Sequence, residues 1–352
     1  MIETNDIRAS VAAGILSEKQ AAALTALAHS RKGAREGLAP GDEPFELFKG
    51  FNEIFIIVGL AILAFGWLGT VVAIFGDNIV NFRDAALQYG VPGAVVIWLL
   101  AEYFIWRRRM VGPAIFLSIL FALNAGATLV SYFAEPFMLA QQDYTSLPLP
   151  LFLSTVAVLV FWLRFRVPFA MAMIALSLFV VAMILAAIQR GTPENVSDLF
   201  LLSAGGPFAW ITLGLGVAIF AAAMTFDMSD PHRVTRRAAN GFWLHVVAAP
   251  ALVSTLALSL IEADQFGPLI AVLVVFALIA IIIDRRSFLT AAIGYVVALA
   301  GTSFGGDGTA TTILILGIIL LVLGAFWEKI RARLLRMMPG FIPLNRLPPA
   351  EI

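Results

Sequence analysis

The chain has 352 residues, of which 61% are hydrophobic and only 13% are charged, and its formal net charge is zero. Soluble domains carry about 25% charged residues, so this composition excludes an ordinary soluble protein and is typical of a polytopic membrane protein. The sequence contains no cysteine, which excludes disulfides, thiolate metal sites and a cysteine nucleophile.

Residues 1–50 are predicted to form a cytosolic helical segment followed by a linker. Gly14 is expected to end a first short helix, and Ser17 and Gln20 fit a capping box that begins a second helix, running to about residue 29. Glycine, proline and charged residues are typical of the linker that follows. A segment this short buries little surface alone, so we expect it to pack on the membrane domain or on a cytosolic partner.

Residues 51–327 are predicted to form an all-α transmembrane bundle of about ten spans. A membrane helix needs about 20 mostly apolar residues. The first apolar run begins at about Phe51, too late for a cleaved signal peptide, so the first span is expected to be its own insertion signal. The predicted spans are 52–75, 86–106, 111–134, 149–163, 167–188, 206–224, 241–261, 268–283, 287–302 and 309–327.

The distribution of lysine and arginine predicts that both termini are cytoplasmic. With ten spans and the N-terminus inside, 21 of the 23 basic residues fall in inner segments, all except Arg83 and Arg190. A wrong number of spans would disrupt this alternation, so the bias supports both the orientation and the count. Four tryptophans beside inner basic groups fit an interfacial belt: Trp106, Trp162, Trp243 and Trp327.

The inner turns after spans two, four and eight are very short, with the sequences RRRMVGP, RFRVP and DRRS. Short turns join antiparallel neighbours, so we expect the bundle to be built from helical hairpins. Residues 328–352 are predicted to continue as a cytosolic helix to about Met338, followed by a proline-rich tail.

No metal-binding, nucleotide-binding or nucleic-acid-binding motif occurs in the sequence. There is no HExxH, no P-loop and no GxGxxG after a strand, so no cofactor, metal or nucleic-acid partner is expected. The expected surroundings are the lipid bilayer. An intramembrane enzyme is the least favoured function, because no pair of intramembrane aspartates and no Ser/His pairing can be placed.

Polar residues inside the predicted spans are the candidate site, because they are costly in a membrane and often mark function. Three of them share an inner depth, so facing helices would create a cytoplasmic-side cavity able to bind a proton or a cation. Pro250 should kink the seventh span. Alternatively, the glutamates reach the inner interface or pair with Arg107–Arg109, and the other two residues make hydrogen bonds between helices. The candidate residues are Glu53, Glu102, Asn124 and His245.

Three stretches of the chain carry a resemblance: AGILSEKQAAAL, GFNEIFIIVGLAI and SDPHRVTRRAANGFWLHVVAAP. They resemble a family of proteobacterial multi-pass inner-membrane proteins of unknown function that begin with a cytosolic GILSxxQ-like helical segment. The resemblance implies an inner-membrane location and brings no substrate or catalytic residue. The ten-span layout is also similar to the drug/metabolite transporter superfamily, from which the long N-terminal segment departs.

Two functions follow as expectations. The favoured one is a non-enzymatic interaction or regulatory role, indicated by the cytosolic helical segment and the scarcity of intramembrane charges. The alternative is a secondary transporter of a small solute or ion, indicated by the ten spans, Pro250 and the inner polar residues. The sequence does not fix an oligomeric state.

Overall fold

The computed structural model is helical, with no strand in the residues that it describes. These are residues 10–11, 13–17, 20, 51–75, 82–135, 138–204, 206–231, 233, 236–285, 307–338 and 346–348. The contact pattern divides the chain into two units, Met1–Leu47 and Phe48–Ile352.

The described part of the second unit contains nine long helices. Seven of them, α1 to α7, are long and apolar enough to cross a membrane, and α8 is a shorter apolar helix. The all-helical, membrane-type fold is thus confirmed. The predicted span 287–302 lies outside the described residues, and the predicted span 309–327 lies within α9. The helices are α1 (Phe51–Phe75), α2 (Phe82–Ala101), α3 (Gly112–Phe133), α4 (Pro148–Phe165), α5 (Phe169–Arg190), α6 (Phe208–Met228), α7 (Arg236–Glu262), α8 (Phe266–Ile283) and α9 (Asp307–Met337).

In the first unit, the predicted signals at Gly14 and Ser17 are confirmed. Gly14 has a left-handed φ of 69° and directly follows a helical turn, as glycine commonly does where a helix ends. The backbone N–H of Ser17 donates to Gln20 Oε1 at 3.0 Å, and the backbone N–H of Gln20 donates to Ser17 Oγ at 3.3 Å. These two hydrogen bonds form the predicted capping box. The helix predicted beyond Gln20 lies outside the described residues.

Helix ends in the second unit follow local chemistry. Proline occupies the first turn of α3 and α4, where its missing N–H costs nothing. Helix α2 ends in a π-helical turn, Glu102–Arg107. Helix α7 continues through Pro250 to Glu262. In α9 the backbone leaves helical geometry at Phe326, with φ −114° and ψ 15°, next to the predicted boundary between the last span and the cytosolic helix.

Aromatic side chains form the core shared by α1 to α5. Phe161 is fully buried and stacks on Phe121 with ring centroids 4.8 Å apart. Trp98 meets the rings of Phe161 and Phe165 edge to face, at 6.0 and 5.1 Å. Such pairs add about 0.5–1.5 kcal/mol each beyond area burial. This core is apolar, so it holds the helices together without offering a charged or titratable group.

The second core joins α7, α8 and α9. Its buried members are small or aliphatic apart from Phe276 and Trp327. Small residues let helix backbones approach closely, which is the main source of packing between membrane helices. The buried members are Ala249, Leu252, Val253, Phe276, Ala280, Ile281, Ile283 and Trp327.

Helices α2 and α3 approach closely at Gly90. A Cβ on Gly90 would lie 2.6 Å from Thr128 Cγ2 and 2.8 Å from Thr128 Cβ. At the same crossing, the Asn124 amide Nδ2 donates to the carbonyl oxygen of Gly90 at 2.8 Å. Only glycine allows this distance between the helices.

We expect Gly90→Ala to lower the free energy of unfolding by about 1–3 kcal/mol, because the new methyl group overlaps Thr128. Thermal unfolding of the purified protein in detergent measures the change. Gly59→Ala is the matched control, because a Cβ on Gly59 has nothing within 4 Å. Equal losses of stability at both positions would contradict the close α2–α3 crossing.

Candidate functional site

Glu53 is buried at the start of α1 and caps the N-terminus of α3. Its Oε1 accepts the backbone N–H of Val111 at 3.2 Å, and its Oε2 accepts the N–H of Gly112 at 2.8 Å. Gly112 begins α3. A carboxylate at a helix N-terminus satisfies unpaired N–H groups and complements the helix dipole. Glu53 therefore has a structural role that neither alternative from the sequence anticipated.

Glu102 pairs with Arg164 rather than with the arginines that follow it on its own helix. Its Oε2 lies 2.8 Å from Arg164 Nη2, and the two side chains are 31% and 39% exposed. The Arg164 guanidinium also lies 4.3 Å from the ring centroid of Trp106. A pair this exposed contributes little stability in water.

The four residues predicted as one site each have a partner of their own. Asn124 bonds to Gly90, as described above, and His245 Nε2 lies 2.9 Å from Asp227 Oδ2. Both are contacts between helices, which matches the alternative interpretation of these residues. That the four line one cavity remains a prediction.

His245 belongs to a charged cluster that the sequence analysis did not identify. Asp227, at the end of α6, accepts two hydrogen bonds from the guanidinium of Arg285, which follows α8. Arg285 Nη2 lies 2.5 Å from Oδ1, and Nε lies 2.9 Å from Oδ2. The side chains of Asp227, His245 and Arg285 are 6%, 0% and 2% exposed. We call these three residues the Asp227 cluster.

The local sequence explains how three helices bring these groups together. Helix α7 passes Asp227 at Gly241, where a Cβ would lie 3.1 Å from Asp227 Cγ and closer still to a carboxylate oxygen. Helix α8 ends at Asp284, whose left-handed φ of 56° turns the chain. The next residue, Arg285, reaches Asp227 and also donates to the carbonyl oxygen of Ala238 on α7 at 2.8 Å.

A second set of contacts surrounds Asp284. Arg233 Nη1 lies 3.0 Å from Asp284 Oδ2, and its Nη2 donates to the Asp284 carbonyl oxygen at 2.6 Å. Trp327 Nε1 donates to Asp284 Oδ1 at 2.7 Å. We call Arg233, Asp284 and Trp327 the Asp284 cluster. Trp327 is buried in this cluster and contacts protein groups, and its place in an interfacial belt stays a prediction.

Arg331 extends the same region to the C-terminal tail. Its Nε donates to the carbonyl oxygen of Ile281 at 3.2 Å, and its Nη2 donates to that of Pro348 at 2.5 Å. The ends of α8 and α9 and a short piece of the tail therefore meet at one buried place.

The Asp227 cluster can bind a proton on the imidazole of His245 and stabilise the resulting charge with the Asp227 carboxylate. An ionised carboxylate can only accept hydrogen bonds, so His245 Nε2 carries a hydrogen in this contact. Asp227 and Arg285 cancel in charge, whereas histidine is the side chain whose charge ordinarily changes between pH 5 and 8. Within the described ranges, no group of three or more histidine or carboxylate side chains is placed to hold a metal ion.

Sequence reasoning missed Asp227, Arg285 and Asp284 because each lies at the end of an apolar run. Charges in such places ordinarily reach the headgroup region, and depth along a helix does not show which face meets a neighbour. One signal was present in the sequence. An acidic and a basic residue lie close together at the end of α6, Asp227 and Arg233, and again after α8, Asp284 and Arg285.

We expect Asp227→Asn to lower the free energy of unfolding by about 3–5 kcal/mol, because it leaves Arg285 buried beside a neutral amide. The double variant Asp227→Asn, Arg285→Gln should recover part of the loss. Thermal unfolding in detergent measures both. Arg164→Gln, which breaks the exposed Glu102 pair, is the control and should cost at most about 1 kcal/mol. A single Asp227 variant as stable as this control would rule out a structurally important ion pair.

Comparisons with protein-family models, curated proteins and solved structures find no match to the chain.

Proposed function

We propose that the chain is a ten-span bacterial inner-membrane protein with both termini in the cytoplasm, built from helical hairpins, and that it acts as a secondary transporter of a small solute or ion. The apolar helices α1 to α8 support the first eight spans. The apolar stretch 287–302 would supply the ninth span, and the first part of α9 the tenth. The likeness to the proteobacterial family described above is part of this proposal.

The Asp227 cluster is the observation that most directly supports a transport function. Buried charges in a membrane protein are costly, and they commonly mark ion or substrate paths. Asp227, His245 and Arg285 come from three successive helices, and the charge bias puts all three near the inner ends of those helices. A secondary transporter needs groups that are closed to water in one state and reach it in another, at an interface between helices.

The proposed function is not enzymatic. An intramembrane hydrolase would need a nucleophile beside its base, or a metal-bound water. In the Asp227 cluster, His245 instead contacts a carboxylate that a guanidinium already holds at both oxygens. This arrangement stabilises charge and holds a proton, and it activates no hydroxyl or thiol group.

An interaction or regulatory role is the second candidate. One observation favours it: the first 47 residues form a unit of their own. In this alternative the N-terminal helices bind a cytosolic partner.

Single-cysteine labelling tests the topology, and the cysteine-free sequence gives a clean background. In intact cells, a membrane-impermeant thiol reagent should label Gln141→Cys, between α3 and α4. Lys49→Cys and Arg336→Cys should react only after the membrane is opened. Labelling of either of these two from outside would overturn the proposed orientation.

The same background tests transport. Ala223 and Ala170 are both fully buried, the first one turn before Asp227 and the second in the aromatic core. If the protein alternates between states, a charged methanethiosulfonate reagent added from the cytoplasmic side should modify Ala223→Cys and spare Ala170→Cys. Equal protection of both cysteines would indicate a static scaffold and favour the interaction role.

A further inference from the structure

Resting on the proposed transport function, we propose that the Asp227 cluster is the proton-binding site of this protein. In this site, His245 takes up the proton and competes with Arg285 for the Asp227 carboxylate. The coupling ion is thus the proton, and its arrival weakens the contact between Arg285 and Asp227.

In the first step of the argument, one oxygen of Asp227 accepts hydrogen bonds from both His245 and Arg285. Asp227 Oδ2 lies 2.9 Å from His245 Nε2 and also 2.9 Å from Arg285 Nε. With His245 neutral, Nε2 is a weak donor and Arg285 dominates this oxygen. A protonated imidazole forms a charge-assisted hydrogen bond, which is roughly twice as strong as a neutral one. Proton uptake therefore strengthens the His245 contact at the expense of the Arg285 contact.

The second step is the charge balance. Asp227 and Arg285 sum to zero while His245 is neutral, and proton uptake leaves one positive charge in a place closed to water. The proton comes from the aqueous phase and adds to Nδ1, because Nε2 already carries a hydrogen. No other covalent bond changes. Two buried cations on one carboxylate repel each other, and the protein relieves this repulsion by releasing one of them.

The groups around the Asp227 cluster include both charged and apolar side chains. Arg233 is held by Asp284, so the neighbouring pair is already neutral. Helix α5 contributes the apolar side chains Met171 and Ala175 to the cluster that contains Leu244, the neighbour of His245. Charged groups elsewhere on these elements include Asp230 after α6, Arg236 and Arg237 at the start of α7, Glu262 at its end, and Glu328, Lys329, Arg331, Arg333 and Arg336 on α9.

The third step connects the proton to movement. Arg285 joins the end of α8 to α6 through Asp227 and to α7 through the Ala238 carbonyl. The residue before it, Asp284, is bonded to Trp327 on α9. Release of Arg285 therefore removes the polar contacts of residue 285 with α6 and α7, while Arg233 still holds Asp284. The carboxylate cannot move aside toward α7, because Gly241 already touches it.

Histidine NMR on the full-length protein in nanodiscs tests the site. The sequence has three histidines, so His29→Gln and His232→Gln leave His245 as the single imidazole. We expect the neutral tautomer with hydrogen on Nε2 at high pH, and a second ring hydrogen on Nδ1 as the pH falls. An imidazole that stays neutral at every pH at which the protein remains folded overturns the proposal.

Two variants in this background test the competition, because they should move the titration in opposite directions. Arg285→Gln removes the competing cation, so His245 should take up its proton at a pH about 1–3 units higher. Asp227→Asn removes the carboxylate that stabilises the imidazolium, so uptake should move by a similar amount to lower pH. A titration that moves in the same direction in both variants overturns the competition.

A third variant keeps every charge and covers the case in which those two fail to fold. Gly241→Ala displaces the Asp227 carboxylate and should move the titration of His245. Gly216→Ala is the matched control in the same α6–α7 contact, because its Cβ would meet Leu252 at 3.0 Å and no charged group. Equal titrations in the two alanine variants would contradict the proposed site.

The failures of the two proposals are distinguishable. If Ala223→Cys stays protected while His245 titrates as expected, the proton site stands and transport fails. If Ala223→Cys reacts while His245 stays neutral, transport stands and its coupling to the proton fails.

Discussion

The bidentate ion pair between Asp227 and Arg285 is the contact on which the second half of the helical unit depends. It joins α6 to the end of α8, and Arg285 extends the contact to α7 through Ala238. Apolar packing in a membrane has no preferred partner, since lipid tails are as apolar as the helices. A buried charge has only the partners that the protein supplies. The ion pair therefore adds a specific contact between these helix ends, within apolar packing that surrounds it.

The two halves of the unit are stabilised in different ways. In α1 to α5 an aromatic core centred on Phe161 holds the helices, and its one nearby ion pair, Glu102 with Arg164, is partly exposed. In α6 to α9 the Asp227 and Asp284 clusters are buried, and each pairs an aspartate with an arginine. An aromatic core has essentially one packed arrangement, whereas a set of paired charges changes when one proton arrives. This difference is why the functional proposals concern α6 to α9.

Local patterns predicted the elements of this fold, and tertiary packing determined its site. The Ser17 capping box, the prolines at helix starts and the end of α9 near Met338 all depend on neighbours within a few residues. The partner of His245 depends on a residue 18 positions away, and the partner of Asp227 on one 58 positions away. Neither the π-helical turn after α2 nor the burial of Trp327 has a signature in the local sequence, because each depends on which helix faces which.

The end of α8 shows how such a site can change without leaving backbone groups unsatisfied. The last carbonyl groups of a helix need partners when water is excluded. Arg331 bonds to the carbonyl oxygen of Ile281, and Arg233 bonds to that of Asp284. Arg285 instead binds groups on α6 and α7. Its release therefore removes contacts between helices and leaves the two hydrogen bonds that cap α8 in place. The caps come from α9 and from the segment between α6 and α7. The end of α8 therefore keeps these two hydrogen bonds in any rearrangement in which α9 and the segment between α6 and α7 move with it.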